Sequence, residues 1–212
     1  MRMYGFYCFS AILLYERKRL EMGYIIRQAK KDESIQIAPL IYDAIGDIAF
    51  RLTGETNEQN MLLKLQMLVE DEHNRHSYLN TFVAVDAAAT HKVLGIVVLY
   101  DGKKGDELDR ALEKALFNEY GHTISIDVEA HHDEYYIDTI CVSAEARGLG
   151  IGTALLAFAE EQAATLGYSK LSLNVEVGKV QARALYTRIG FQETEPWTII
   201  NEPFIHMVKR LD

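Results

Sequence analysis

The most informative stretch of this sequence runs from Tyr135 to Thr153 and reads YYIDTICVSAEARGLGIGT. Its first part is rich in apolar and β-branched residues and predicts a strand over residues 135–142, followed by a helix over residues 149–166. Glycines at a strand-to-helix turn let the backbone come close to a ligand. The start of a helix offers unpaired N–H groups and the positive end of the helix dipole. The turn therefore predicts an anion site suited to a pyrophosphate, with Arg147 and Thr153 beside it.

Two common phosphate-binding fingerprints do not fit this turn. A dinucleotide fingerprint needs Gly-x-Gly-x-x-Gly, but counting from Gly148 the last position is Thr153, and counting from Gly150 it is Leu155. A P-loop needs Gly-Lys followed by Ser or Thr, which the turn lacks. The anion is therefore not expected to belong to NAD or to a P-loop nucleotide.

The turn resembles the acetyl-CoA loop of the GNAT (Gcn5-related N-acetyltransferase) superfamily, Arg/Gln-x-x-Gly-x-Gly/Ala, which Arg147, Gly150 and Gly152 satisfy. In this family the preceding strand ends in a hydrophobic-x-Val stretch, found here at residues 140–142 as ICV. Many members later carry Ala-x-x-Leu-Tyr-x-x-x-Gly-Phe, which residues 182–191 match as ARALYTRIGF. The order, spacing and identities agree from residue 135 to residue 191.

The resemblance implies direct transfer of an acetyl group from acetyl-CoA, the co-substrate, to an amine, without an acyl-enzyme. It also implies that the strand backbone near Cys141 and Val142 holds the pantetheine arm and polarises the thioester carbonyl. Lys179 stands where many members have Asn, so it is expected either to reach a phosphate or to face solvent. The residues assigned in this way to acetyl-CoA are Ile140, Cys141, Val142, Arg147, Gly148, Leu149, Gly150, Ile151, Gly152, Thr153 and Lys179.

Three side chains are candidates for proton transfer. Tyr186 matches the family's general acid, since a phenol can return a proton to the departing thiolate; the alternative is a tyrosine that only packs in its helix. Asp138 and Glu134 lie on or just before the central strand, spaced so that both face one side. Asp138 is expected to share that side with Ile140 and Val142, which would raise its pKa and suit it to be the base. Glu134 is more easily read as a solvated charge at the strand end, and a water chain could replace either carboxylate.

No metal site is expected from the sequence. His131 and His132 precede Asp133 and Glu134, but adjacent residues of a strand point to opposite faces, so the four cannot all converge. Cys141 has no histidine nearby in sequence and is expected to be a small buried hydrophobe rather than a nucleophile.

The composition of the chain limits which binding partners and which cellular compartment are expected. The chain has 212 residues, a formal net charge of -9 and two cysteines outside any CxxC pair. An acidic protein repels phosphate backbones, so nucleic acid is not expected as a partner, whereas a cationic amine would be attracted. The cysteine usage fits a reducing, cytoplasmic setting.

The N-terminal residues are expected to form an extension outside the fold. Residues 3–15 are apolar and aromatic, too short to span a bilayer, and followed by the basic residues 17–19. We expect no stable membrane association, and we place the domain at residues 22–212, after an extension of residues 1–21.

The remaining patterns predict a mixed α/β fold. Strands are predicted at 24–27, 81–86, 93–100, 124–128, 170–177 and 205–209. Helices are predicted from Asp32 to about Phe50 with Pro39 in the first turn, after a capping box of Thr56 and Gln59, and over residues 105–120 and 180–189. Hairpin strands come first and alternating strands and helices later, which indicates a mixed sheet with helices on both faces. The resemblance adds that this sheet is mostly antiparallel.

The function predicted from these features is acetyl transfer from acetyl-CoA to the primary amine of a small molecule. The helix at residues 105–120 is expected to close a small-molecule pocket. The alternatives are a protein or peptide N-acetyltransferase, which needs an open groove, and an acyl-CoA-binding module without turnover. A homodimer is left open.

Overall fold

The structure, a computed structural model, describes residues 23–211. The predicted extension, residues 1–21, lies outside the described residues. None of the helices within residues 23–211 is both long enough and apolar enough to cross a membrane. The strands are β1 (Tyr24–Gln28), β2 (Thr81–Asp86), β3 (Val93–Asp101), β4 (Tyr135–Val142), β5 (Lys170–Glu176), β6 (Gln192–Ile199) and β7 (Glu202–Arg210). The helices are α1 (Ser34–Ile45), α2 (Ile48–Thr53), α3 (Glu58–Glu70), α4 (Gly105–Tyr120), α5 (Ile151–Thr165) and α6 (Val180–Arg188).

The strands form one seven-stranded sheet in the order β1-β2-β3-β4-β5-β7-β6. All neighbours are antiparallel except β4 and β5, which run parallel, so the predicted mixed, mostly antiparallel sheet is confirmed. The parallel pairing is short, from Tyr135 opposite Leu171 to Ile137 opposite Leu173. Beyond this point the two strands part, and the backbone groups that face the gap are left for other partners.

Helices cover both faces of the sheet, as predicted. On one face α5 packs Leu155 and Ala159 into a core that includes Val97. On the other face α1 and α3 pack Ile37 and Leu65 against the central strands. The central strands are therefore covered on both sides, and the split between β4 and β5 lies in this covered part of the sheet.

Two of the helix predictions are wrong in detail. The helix expected to run to about Phe50 is broken at Gly46, whose φ of 55° and ψ of −128° are available to glycine but costly for other residues. Pro39 lies inside α1 rather than in its first turn. The helix after the expected capping box is instead capped by Asn57, whose side chain accepts hydrogen bonds from the N–H groups of Gln59 and Asn60.

Two strand predictions also need correction. Residues 124–128 alternate in polarity but form no strand. The N–H of Ile126 donates instead to the Glu113 carboxylate at 2.8 Å, so a side chain from α4 replaces a neighbouring strand. Strand β6 was not predicted, and the last strand is longer than expected, running over Glu202–Arg210.

Candidate active site

The turn between β4 and α5 has the features of an anion site. Gly148 and Gly150 have φ values of 81° and 78°, in the left-handed region that favours glycine. The first backbone hydrogen bond of the helix runs from the Ala154 N–H to the Gly150 carbonyl, at 3.0 Å. The N–H groups before it therefore have no intrahelical acceptor. A Cβ atom built on either glycine meets nothing within 4 Å, so the space above the turn is open.

Two cations flank the approach to this turn. Nε of Arg147 donates to the Val142 carbonyl at 3.3 Å, which holds the guanidinium beside the end of β4. Nζ of Lys179 donates to the Ala44 carbonyl at 3.1 Å and lies 3.8 Å from the Glu176 carboxylate. Lys179 thus connects the end of α1 to the start of α6, in addition to adding positive charge.

A cavity of about 330 Å³ opens where β4 and β5 part. Its walls come from α1, α2 and α6, from the two diverging strands and from the segment after α3. Near the glycine turn it is lined by Cys141, Val142, Arg147, Lys179 and Tyr186, and at the other end by Arg75, His76, Glu129, Asp138 and Asn174. The cavity therefore connects the anion site to a group of buried charges.

A β-bulge in β4 turns Asp138 into this cavity. Thr139 pairs with Val98 and Ile137 with Leu99, so Asp138 is the extra residue between them. The bulge resets the alternation of the strand. As a result, Ile140 and Val142 pack with the core under α5. Asp138 does not share their side, as was predicted, but contacts Arg75 and His76.

The environment of Asp138 lowers its pKa instead of raising it. Burial alone would raise the pKa of this carboxyl, but nearby His76 and Arg75 favour the charged form and outweigh burial, and the Thr139 hydroxyl donates to Oδ2 at 2.8 Å. The predicted raised pKa is therefore wrong, because the neighbours of Asp138 are charged rather than apolar. The lowered pKa favours the ionised form of Asp138, which suits this carboxylate to orient His76 rather than to accept a proton itself.

Arg75 is the centre of the buried charges. Its side chain is 1% exposed, and its guanidinium lies 2.5 Å from both the Asp109 and the Glu129 carboxylates and 3.4 Å from Asp138. The guanidinium carbon also sits 5.8 Å from the centre of the Tyr100 ring. One guanidinium faces three carboxylates, so this end of the cavity is suited to a further cation.

His76 and Asp138 form a pair in the wall of the cavity. Its Nε2 is 3.1 Å from Asp138 Oδ2, and its side chain is 1% exposed. Apart from this pairing, neither ring nitrogen has a hydrogen-bond partner among the described residues. A buried imidazole that lines a cavity and is oriented by a carboxylate has the arrangement of a general base.

Tyr186 and Cys141 line the part of the cavity near the glycine turn. Burial raises the pKa of Tyr186 to about 12, and its ring lies 6.0 Å from that of Phe191. Burial likewise raises the pKa of the Cys141 thiol to about 11. Both groups are therefore protonated at neutral pH, which fits a proton donor at Tyr186 and an unreactive thiol at Cys141.

Glu134 is not the solvated strand-end charge that the sequence indicated. It is 2% exposed, and its Oε2 lies 3.0 Å from Nε2 of His206. Burial would raise the pKa of Glu134, but the contact with His206 outweighs burial and lowers it. Glu134 faces His206 of β7 whereas Asp138 faces Arg75, and Glu134 is not among the cavity-lining residues. Its position does not support a role as the base.

Comparison with known proteins identifies the family. The sequence profile of the acetyltransferase (GNAT) family matches residues 53–191. The chain belongs to this family. Its members transfer acetyl groups from acetyl-CoA to amines, so the chain is an N-acetyltransferase.

Solved structures agree with this assignment. One, described as an acetyltransferase, is 30% identical with a TM-score of 0.71, over 89% of this chain and 100% of that chain. An N-acetyltransferase from Staphylococcus aureus Mu50 is 25% identical with a TM-score of 0.72, over 87% of this chain and 99% of that one. No match was found among the curated proteins.

The GNAT resemblance did not reveal the buried charges of this acetyltransferase. Arg75 and His76 follow α3 and lie outside the two recognised motifs. Arg75 is separated by 34 residues from Asp109 and by 63 from Asp138, so no local pattern connects them. The one local feature that pointed to this end of the cavity was the group of acidic residues within 127–134. Such a group attracts a cation, but it does not indicate which side chains contact Arg75.

Proposed function

We propose that this GNAT acetyltransferase transfers the acetyl group of acetyl-CoA directly to the primary amine of a small molecule held in the cavity between β4 and β5. The observation that carries the proposal is that one cavity is lined both by Arg147, next to the glycine turn, and by Asp138 and Glu129, the carboxylates around Arg75. A donor bound at the turn and a cation bound at the carboxylates would meet beside Tyr186 and Cys141.

The size and charge of the cavity favour a small acceptor. Its volume, about 330 Å³, is at the lower end of the range of small-molecule sites. It has to hold the acetyl group, the end of the pantetheine arm and the acceptor together, which leaves little room for a folded or extended peptide. A protonated amine would be drawn to Asp138 and Glu129, which surround Arg75.

The first part of the chemistry is to hold and polarise the thioester. The N–H groups at the start of α5 and the cations of Arg147 and Lys179 would bind the pyrophosphate. Beyond Ile137, the β5-facing backbone of β4 is not paired with β5 and would hydrogen-bond the pantetheine arm and the thioester oxygen near residues 140–142. Preorganised N–H donors at this oxygen stabilise the negative charge that develops when the amine attacks.

Two proton transfers complete the reaction. His76, oriented by Asp138, takes a proton from the ammonium and leaves a neutral amine with a free electron pair. The amine nitrogen forms a bond to the acetyl carbon, and the carbon–sulfur bond breaks. Tyr186 gives its proton to the departing thiolate, and the proton released from the nitrogen restores the phenol through solvent. Of the three residues proposed as catalytic from sequence, Tyr186 and Asp138 keep a role here, with Asp138 acting through His76, whereas Glu134 has none.

Helix α4 supports this site from behind rather than closing it. Asp109 of α4 binds Arg75, and Leu112 and Leu116 pack with Leu52, which lines the cavity. No residue of α4 is among the cavity-lining residues. The helix would therefore fix the depth and charge of the acceptor end without covering its entrance.

The proposal is tested by measuring CoA release with a panel of acceptors. We expect small primary amines to stimulate release, and their N-acetylated forms to be inactive because the nucleophilic nitrogen is already blocked. Peptides with a free N-terminus or with lysine form the second arm of the panel. Turnover with peptides alone would overturn the small-molecule assignment but leave the family activity intact.

The role of His76 is tested by His76→Gln, with His73→Gln as the matched control. His73 is exposed, three residues earlier in the same segment, and is not a cavity-lining residue. Loss of the base should lower kcat by about 10²–10⁴, and raising the pH should restore part of the rate because more amine is then neutral. Equal rates for the two variants would remove His76 from the mechanism.

A further inference from the structure

Three metal-ligating side chains meet outside the cavity, at the start of β4. His131 and Glu134 belong to the turn before this strand, and His206 lies on β7. One donor atom from each lies within 4.8 Å of the other two. The sequence argument against convergence assumed strand geometry. In the structure the Glu134 N–H bonds the His131 carbonyl at 3.2 Å, so these residues form a turn, and alternation does not apply.

The hydrogen bonds of His206 direct one ring nitrogen at Glu134. Its Nδ1 lies 2.8 Å from Oδ1 of Asn174, whose Nδ2 donates to the Glu129 carbonyl at 2.8 Å. The amide is thus oriented with its oxygen toward the imidazole, so Nδ1 carries the hydrogen. In a neutral ring the lone pair of Nε2 would then point at the Glu134 carboxylate, 3.0 Å away. Two electron-rich atoms at this distance need a positive centre, either a proton or a metal ion.

The position of His131 favours a metal ion over a proton, because it adds a third ligand beside this pair. A proton shared by His206 and Glu134 needs no third partner. His131 nevertheless brings its ring to 5.3 Å from the His206 ring, while its Nε2 lies 2.8 Å from Oε1 of Glu195. His131 and Glu195 are 46% and 48% exposed, so this side gives an ion access from solvent.

We infer that His131, Glu134 and His206 form a site for a divalent transition metal ion, with Zn²⁺ the best match. Two imidazole nitrogens and one carboxylate oxygen are a ligand set that Zn²⁺ uses, and Glu195 or water is available for a fourth position. His206 donates its other ring nitrogen to an amide oxygen, the outer-sphere contact that metal-binding histidines typically make. The site is separate from the proposed acetyl transfer, because none of its three ligands is among the cavity-lining residues.

The ion would connect the turn before β4 to the outer strands. It would join the turn holding His131 and Glu134 to β7, and to β6 if Glu195 takes the fourth position. His206 is also joined through Asn174 to the acceptor end of the cavity. The expected role is therefore structural, to hold this end of the sheet together.

The test is a zinc titration of the full chain, free of any affinity tag and treated first with a chelator. Competition with a chromophoric chelator should show one equivalent of Zn²⁺ bound, and zinc should raise the thermal unfolding midpoint, as any ligand of the native state does. His131→Ala should weaken zinc binding more than about tenfold, since even outer-sphere partners contribute that much. His131 is exposed at the rim, so this variant should keep the fold.

The matched control is His132→Ala. His132 is also exposed and lies next in the chain, but it approaches Asp106 at 3.6 Å rather than the three ligands. The zinc affinity of His132→Ala should equal that of the wild type. Acetyl-CoA binding by the wild type and by both variants should be the same with and without zinc. Absence of stoichiometric zinc binding by the wild type, or equal affinity in His131→Ala and His132→Ala, would overturn the proposal.

Discussion

Tyr186→Phe separates a chemical role of this residue from a packing role. The substitution removes one hydroxyl and keeps the ring, which packs against Phe191 at a centroid distance of 6.0 Å. The structure gives the hydroxyl no hydrogen-bond partner among residues 23–211, so its loss leaves no buried group unpaired. The free energy of unfolding should change by less than about 1 kcal/mol. Loss of the acid should lower kcat by about 10²–10⁴, or about 2.7–5.4 kcal/mol of transition-state stabilisation.

The pH dependence adds a second expectation. Burial raises the pKa of Tyr186 to about 12, so the phenol is protonated across the ordinary assay range. The loss of rate should therefore be nearly the same at every pH from about 6 to 9, because deprotonation of Tyr186 does not shape this range. A high-pH decline in the wild type would have to arise from another group.

The assay is the initial rate of CoA release at saturating acetyl-CoA with a competent amine. Tyr42→Phe is the matched control, because Tyr42 is also a partly buried helix residue with its ring 6.0 Å from a phenylalanine, Phe50, but it is not among the cavity-lining residues. A Tyr186→Phe enzyme within about threefold of Tyr42→Phe would refute acid catalysis by this residue.

Three further predictions follow from the site. Gly150→Val and Gly167→Val should both lower the free energy of unfolding by about 1–2 kcal/mol, because both glycines have positive φ and an added Cβ meets no other atom. Calorimetry should show loss of acetyl-CoA binding only in Gly150→Val. Arg75→Met should lower the free energy of unfolding in urea by about 3–5 kcal/mol, because it leaves buried carboxylates unpaired; a loss below about 1 kcal/mol would contradict the network. The ionised Asp138 stabilises the fold above the ordinary carboxyl pKa, and this contribution disappears as pH falls through its lowered folded-state pKa. The stability gap between wild type and Asp138→Asn should therefore shrink on acidification, and a gap that widens would contradict the assigned direction.

The parts of the fold that sequence predicted are those encoded locally. Helix α4 was predicted with its bounds because its apolar residues repeat at helical spacing. In the structure it ends at Gly121, whose φ of 71° is one that glycine adopts readily. Strand β6 was not predicted because it is a mostly exposed edge strand. It contains Pro196, and its sequence has no alternation of apolar and polar residues that would indicate a strand. Residues 124–128 have that alternation, but side chains from elsewhere in the chain satisfy part of their backbone: Glu113 accepts from the Ile126 N–H, and Arg51 donates to the Ser125 carbonyl.

The candidate site also has a part that could be predicted from the sequence and a part that could not. The glycine turn and Tyr186 belong to continuous motifs, so both could be singled out from the sequence. The acceptor end of the cavity could not be predicted from the sequence. It depends on a one-residue bulge at Asp138 and on Arg75 and His76, which belong to a loop that is distant in sequence. A single extra residue reverses which side of β4 faces the cavity, and nothing in the spacing of apolar residues indicates it.

The central claim is that acetyl-CoA and the amine occupy one cavity together and react directly. Initial rates measured while both substrates are varied test this claim, because direct transfer requires a ternary complex. The account predicts intersecting lines in double-reciprocal plots with the best small amine. Parallel lines, the pattern of a covalent acyl-enzyme, would contradict it and would direct attention to the thiol of Cys141.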